Sequence, residues 1–124
     1  MGYKRQHPEA VAQERVFEWA LLNRHKWPEL DMMFHVPNGG SRHPMEAANL
    51  KRQGVKAGVP DICLPVPRGI YHGLFMELKA GKNKTTPEQD KWINALADKG
   101  YAVAVCRGFD SAIEVIGDYL KMGG

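Results

Sequence analysis

The sequence predicts a single α/β domain in which a mixed β-sheet is flanked by helices, and three observations predict it. Helical and strand-like segments alternate along the 124 residues in the order αβαββαβα. Proline and glycine punctuate the boundaries between those segments. No internal repeat, low-complexity tract or linker divides the chain. A chain of this length has room for one core and buries roughly two-thirds of its unfolded surface. Its 44% hydrophobic and 25% charged content is that of an ordinary folded domain, so neither a disordered nor a fibrous class applies.

The elements follow in order. A helix is expected from about Pro8 to Arg24, because Pro8 suits a first helical position, where its missing N–H forfeits no intrahelical bond. Spacing residues at about 100° gathers Ala10, Phe17, Ala20 and Leu21 on one side of it. Pro28 marks the end of this segment. Met33 to Val36 reads as a short edge strand ending at Pro37, and Asn38, Gly39 and Gly40 form a flexible turn. A second helix runs from Pro44 to Gln53, with Gly54 as its stop. Asp61 to Pro65 and Tyr71 to Ala80 read as two strands of a hairpin turning at Arg68, Gly69 and Ile70. The helix from Pro87 to Lys99 has the clearest signals: Thr86 as cap, Pro87 at the first position, Gln89 at the third and Gly100 after the last turn. Tyr101 to Cys106 is apolar and β-branched, the pattern of a buried strand. Asp110 or Ser111 then caps a last helix, lined on one face by Ile113, Ile116, Tyr119 and Leu120.

Composition narrows the function by exclusion. No apolar run approaches the roughly 20 residues that span a bilayer, and the polar start of the chain has no signal-peptide core, so a cytoplasmic location is expected. Cys63 and Cys106 both fall in strand-like apolar runs and read as small buried hydrophobes. His7, His25, His35, His43 and His72 show no zinc-ligand spacing. The net charge of +3, from 17 basic and 14 acidic residues, is too small to imply nucleic-acid binding by itself. The placement of the bases carries more weight. Lys51, Arg52 and Lys56 precede Asp61, and Lys82 and Lys84 follow Lys79, flanking the hairpin from both ends.

The chemistry concentrates in Gly58-Val59-Pro60-Asp61 and, after 15 intervening residues, Glu77-Leu78-Lys79. Alternation along a strand sets Glu77 and Lys79 on one face and Met76 and Leu78 on the other. Hard divalent cations give a reason for acids in such a place, since Mg²⁺ takes one or two carboxylates together with water and phosphate oxygens. Asp61 and Glu77 would hold the ion, and the backbone carbonyl of Leu78 would add a third oxygen. Lys79 would orient water or neutralise charge developing on phosphate. This imposes a register. For Asp61 to face Glu77 across an antiparallel pair, Cys63 must face Phe75, leaving a three-residue turn centred on Gly69. Taken alone, Glu-x-Lys reads as a solvated strand face with Asp61 capping a turn, and only Pro60-Asp61 on an adjacent strand brings the metal-site reading level with it.

The sequence here resembles the PD-(D/E)xK nucleases, and within them the VRR-NUC (virus-type replication-repair nuclease) group. The residues that carry the resemblance are Val36-Pro37-Asn38-Gly39-Gly40, Gly54-Val55-Lys56-Ala57-Gly58-Val59-Pro60-Asp61, and Glu77-Leu78-Lys79. It continues through Lys82-Asn83-Lys84, Gln89, Trp92, Gly100-Tyr101 and Phe109, covering nearly the whole chain in the manner of the stand-alone phage or bacterial form. The resemblance implies a restriction-endonuclease-like fold and Mg²⁺ or Mn²⁺ as cofactor, held by Asp61 and Glu77, with Lys79 catalytic. It implies DNA as partner, four-way (Holliday) junctions as substrate, a role in DNA repair, and a homodimer matching the two-fold symmetry of such junctions.

It also implies a further acid on the first helix. Glu9, Glu14 and Glu18 are candidates there, while the family's pattern also admits position 12, which is Ala12 here. The helical wheel favours Glu14, about 20° from Leu21 and about 60° from Phe17. Gln89 has a structural role as partner of Thr86 and, by resemblance, a role in organising the site or contacting DNA. Asn38, Gly39, Gly40 and Arg42, near His35 and Ser41, form either a phosphate-approaching loop or a plain connector. With Lys56, Lys82 and Lys84 they are the candidate DNA contacts. Trp92, by its spacing, is expected in the core. The rival readings are a monomeric nuclease of flaps or other branched DNA, a non-catalytic DNA-binding module of the same fold, and a protein–protein interaction module.

Overall fold

The computed structural model describes residues 8–38 and 43–123. Four helices, α1 (Pro8–Asn23), α2 (Pro44–Arg52), α3 (Pro87–Asp98) and α4 (Phe109–Lys121), alternate with four strands in the expected order. The strands are β1 (Phe34–His35), β2 (Ile62–Leu64), β3 (Leu74–Leu78) and β4 (Ala102–Cys106). They form one mixed sheet in the order β1-β2-β3-β4, antiparallel except for the parallel β3–β4 pair. A 3₁₀ turn, Pro28–Met32, joins α1 to β1, where the sequence showed only a stop at Pro28.

The core lies on one face of the sheet. Leu74, Met76 and Leu78 of β3 pack there with Ile62 and Leu64 of β2, beneath Val16 and Ala20 of α1 and Ala112, Ile116, Tyr119 and Leu120 of α4. Tyr119 carries its hydroxyl into this core and donates to the carbonyl of Val66 at 2.5 Å, which satisfies the one polar atom that burial would otherwise strand. The opposite face of β3 carries Phe75, Glu77 and Lys79. Phe75 meets the edge of Tyr101 there, with ring centroids 5.4 Å apart.

The hairpin has the register that the metal-site argument demanded. Cys63 faces Phe75, with Ile62 opposite Met76 and Leu64 opposite Leu74. Its tip differs from the expected three-residue turn. Arg68 and Tyr71 form a separate bridge around the pair Gly69-Ile70, exchanging hydrogen bonds of 3.1 and 2.8 Å. The two prolines at 65 and 67 are the reason, because they cannot donate to a ladder. The amide of Val66 between them turns back onto the carbonyl of Leu64 instead. The strands are accordingly shorter than the apolar runs.

Three other expectations are corrected. The last helix begins at Phe109 on Gly108, with no side-chain cap from Asp110 or Ser111. The strand expected to be buried, β4, is an edge strand with Val105 37% exposed. In α1 the inward residues are Val16 and Ala20, whereas Leu21 is 62% exposed, so the helix is rotated from the face its larger apolar residues suggested. Helices α2 and α3 end as expected. Gly54 and Gly100 each close a pair of hydrogen bonds back onto the last turn, from Gly54 to Lys51 and Val55 to Leu50, and from Gly100 to Ala97 and Tyr101 to Leu96.

Candidate active site

Three elements bring polar groups to the end of β3. The hairpin register sets Asp61, one residue before β2, beside Glu77. The carboxylate of Asp61 accepts a 2.8 Å hydrogen bond from the backbone N–H of Leu78, which orients it along the strand end. Glu77 is 3% exposed and Lys79 9% exposed, with the Lys79 Nζ 3.9 Å from a carboxylate oxygen of Glu77. The amide of Gln89 donates to the same Glu77 oxygen at 3.0 Å. Gln89 does so while completing the capping box of α3: its backbone N–H donates to the Thr86 hydroxyl and its side-chain oxygen accepts from the Thr86 N–H. One side chain therefore both caps α3 and hydrogen-bonds Glu77.

Close approach of α3 depends on Gly58. A Cβ there would stand 2.7 Å from the backbone carbon and oxygen of Glu88, and the φ of +92° disfavours any L side chain. The loop before Asp61 thus packs directly against the first turn of α3, and this contact carries Gln89 to Glu77.

The first helix contributes Glu9. Its carboxylate accepts from the backbone N–H of Ala80 at 3.1 Å and from the side-chain amide of Asn83 at 3.4 Å. Glu9 also lines a cleft of about 370 Å³ with Ala10, Gln13, His35, Asn38 and Asp61. Glu14 lies elsewhere, in a separate hollow with Gln13, Phe17, Glu18, Leu21 and His35. The rotation of α1 explains this: Glu9 falls within about 20° of both Val16 and Ala20, and Glu14 roughly opposite them. The signal that could have found Glu9 was the small pair Val16 and Ala20 rather than the larger Phe17 and Leu21.

His35 is a further member that sequence reasoning left unassigned. Its Nδ1 lies 2.8 Å from the carbonyl oxygen of Asp61, so that nitrogen is the donor. The backbone N–H of Val36 donates to the same carbonyl at 2.7 Å, fastening β1 to the loop that carries Asp61. Arg107 braces the opposite rim by donating to the carbonyls of Gly81 and Asn83 at 3.1 and 2.6 Å. Lys82 and Lys84 stand exposed on that braced loop. Asn38 lines the cleft itself, and Lys56 lies beyond it. Gly39, Gly40, Ser41 and Arg42 lie outside the described residues.

The electrostatics are those of two acids crowded away from water. Burial pushes the Glu77 carboxyl up to about 8, the neighbouring Asp61 adds to the rise, and Lys79 opposes it. Burial also raises Asp61, against the hydrogen bond from Leu78. A divalent cation would relieve both causes at once, since it compensates desolvation and separates the like charges. Among the described residues no three of His, Cys, Asp and Glu converge as a ready-made cage. Asp61 and Glu77 offer carboxylate oxygens, the donors that a hard divalent cation takes together with water and phosphate.

A mixed sheet with an acid pair at one strand end and a lysine two residues beyond the second acid defines a nuclease of the PD-(D/E)xK type. The sequence profile of the VRR-NUC domain family matches residues 7–110, and the chain belongs to that family. A solved structure described as a VRR_NUC domain protein is similar to it, at 39% sequence identity and a TM-score of 0.80, with 96% of this chain and 93% of that chain covered. No curated protein matches the chain. Among the described residues no helix is long and apolar enough to cross a membrane.

Proposed function

We propose that the protein is an Mg²⁺- or Mn²⁺-dependent endonuclease that hydrolyses phosphodiester bonds in branched DNA, with four-way junctions as its substrate and a homodimer as its working form. The observation that carries this reading is the pairing of half-buried Asp61 with buried Glu77, held by Leu78 and Gln89 with Lys79 alongside. Such a pair is costly to a fold unless it has a task.

In this reading Asp61 and Glu77 bind the ion. The Leu78 carbonyl supplies a third oxygen, because in a strand the C=O of a residue faces the same neighbour as its N–H, here Asp61. When bound, the ion polarises the phosphodiester and lowers the pKa of water. The remaining roles belong to the chain. Leu78 and Gln89 fix the two carboxylates in orientation before substrate arrives. Lys79 directs the attacking water and offsets negative charge developing on the phosphate. Glu9 completes the acid set from across the cleft, in the place first assigned to Glu14. Asn38, Gly39, Gly40, Arg42, Lys56, Lys82 and Lys84 contact the DNA backbone on either side.

The homodimer reading draws on symmetry and on exposed apolar surface. Two cuts related by a two-fold axis call for two copies of one active site. Leu21 and Leu22 of α1 are 62% and 74% exposed, and Phe34 of the edge strand β1 is 48% exposed. This is the face proposed to meet the second copy.

The test is incubation of the purified protein with four-way junction, flap and linear duplex DNA, with Mg²⁺, Mn²⁺ or EDTA, beside Lys79→Ala. Metal-dependent cutting of the junction in paired strands, lost in Lys79→Ala, is the expected result. Metal-independent binding without cutting would indicate a binding module, and cutting of flaps alone by a monomer would replace the junction reading. Light scattering of the wild type and Leu21→Glu reads the oligomeric state.

A further inference from the structure

The proposed function uses the acid cleft and gives Asn38 and Lys56 a phosphate to touch, but leaves Trp92 and Lys91 beside them without a task. Three hollows surround residues 53–59. One of about 550 Å³ lies toward α2, lined by Asn38, Ala47, Ala48, Lys51, Val55, Lys56 and Ala57. A second, about 420 Å³, lies toward α3 and is bounded by Lys56, Ala57, Glu88, Lys91, Trp92 and Ala95. The third, about 340 Å³, lies between Val36, Pro37, Val59 and Trp92 and again includes Lys56. Lys56 is common to all three, Trp92 to two, and Asn38 belongs both to the first and to the acid cleft. The acid cleft and the three hollows are thus neighbours around the Asp61 loop, with Lys51, Lys56 and Lys91 among the residues that line them.

Trp92 is the unexpected occupant. The sequence placed it in the core, where Trp19 and Trp27 do pack, 6.4 Å apart. Trp92, half-buried like them, is not packed on that core but lines the two hollows on the α3 side of Lys56. It sits three residues after Gln89, one helical turn along the same face of α3, which places it roughly 5 Å further along the helix than the residue that holds Glu77. An indole flanked by lysines combines a stacking surface for a base with charges for its phosphates, the pairing that single-stranded nucleic acid recognises. Glu88 lines the same hollow, and its negative charge would repel a phosphate toward Lys56 and Lys91.

We infer that the hollows gathered around Lys56, between Asn38 and Trp92, hold an unpaired stretch of a DNA strand, with Trp92 stacking on one of its bases. This rests on the nuclease reading for the nature of the strand and deepens it, because it assigns recognition of unpaired nucleotides, as found at a junction or branch, to a named side chain. The loop of residues 53–59 then acts as a divider, with the scissile phosphate on one side and the extruded base on the other.

The experiment uses the full chain in EDTA, so that no strand is cut. Two duplex probes are compared, one fully paired and one carrying a single unpaired 2-aminopurine nucleotide. Binding is followed by anisotropy and stacking by 2-aminopurine quenching. Trp92→Phe keeps an aromatic face, whereas Trp92→Leu fills the same wedge without one, and circular dichroism verifies that both fold. The wild type and Trp92→Phe are expected to quench the probe and to prefer the unpaired site. Trp92→Leu is expected to lose the quenching and about ten-fold of that preference, with affinity for the paired duplex unchanged. Trp92→Leu behaving as wild type, or weakening both probes equally, would overturn the inference. Failure of the nuclease reading looks different, as quenching by Trp92 with no cutting of any DNA in Mg²⁺ or Mn²⁺. If the folded variants and the wild type bind neither probe, the inference falls with that reading.

Discussion

Helices α1 and α3 approach the same acid pair from different elements, and they differ in how firmly the chain specifies what each delivers. In α3 the cap, the first-turn proline and the third-position glutamine lie within four residues, so one local motif sets where the helix starts and how Gln89 is held, and the packing at Gly58 then brings it to Glu77. In α1 no comparable signal exists. Its apolar residues are spread around the helix, and the inward face is chosen by whichever residues fit beneath β3 and α4. Small Val16 and Ala20 win that place over Phe17 and Leu21, and Glu9 comes with them. A local motif can therefore aim a side chain, whereas a weakly amphipathic helix is aimed by its partners.

The largest expected effect removes the group on which α3 converges. Glu77→Gln should lower turnover at least about a thousand-fold in metal-dependent cleavage, with the fold retained, because a metal-binding charge is lost from a site already built to hold it. Retention of more than a tenth of the activity would move the metal site elsewhere.

A sharper version contrasts two acids of α1. Glu9→Gln should reduce kcat by roughly ten- to a hundred-fold, and Glu14→Gln should stay within about two-fold, both read from single-turnover cleavage. The reverse order would mean that α1 is rotated in the substrate complex. The α3 counterpart is Gln89→Ala, for which about a ten-fold loss of activity should accompany about 1 kcal/mol of lost stability, since the side chain both orients Glu77 and completes the capping box. Chemical denaturation separates the two losses, and Gln89→Glu should restore the cap without restoring cleavage.

The smallest effect is on stability against pH. The folded-state pKa of Glu77 lies above its unfolded value of 4.5, at about 8, so folding favours the protonated form. The contribution is fully present below 4.5 and is lost as pH rises toward 8. In EDTA the melting temperature should therefore drift downward across that window, flatten in Glu77→Gln, and recover with Mg²⁺ at high pH. An unchanged slope in Glu77→Gln would place the source in another group.

Much of this was legible in the chain. The order of elements, the stops at Gly54 and Gly100 and the facing of Cys63 and Phe75 all follow from local signals: turn-forming residues, capping side chains and the two-residue repeat of a strand. Asp61, Glu77 and Lys79 could be grouped because a hairpin is a short-range structure whose geometry carries over from sequence spacing, whereas Gln89 joined them only through the family resemblance. What spacing could not supply was any relation set by packing. The rotation of α1, hence Glu9 rather than Glu14, depended on the volume left between β3 and α4. The exposure of β4 depended on its becoming the sheet's last strand, and the station of Trp92 beside Lys56 depended on where the Asp61 loop pressed against α3 at Gly58. Local backbone and capping energies act within a few residues and are written in the chain. Burial is a competition among distant surfaces, and only the assembled tertiary structure decides which side chains win it.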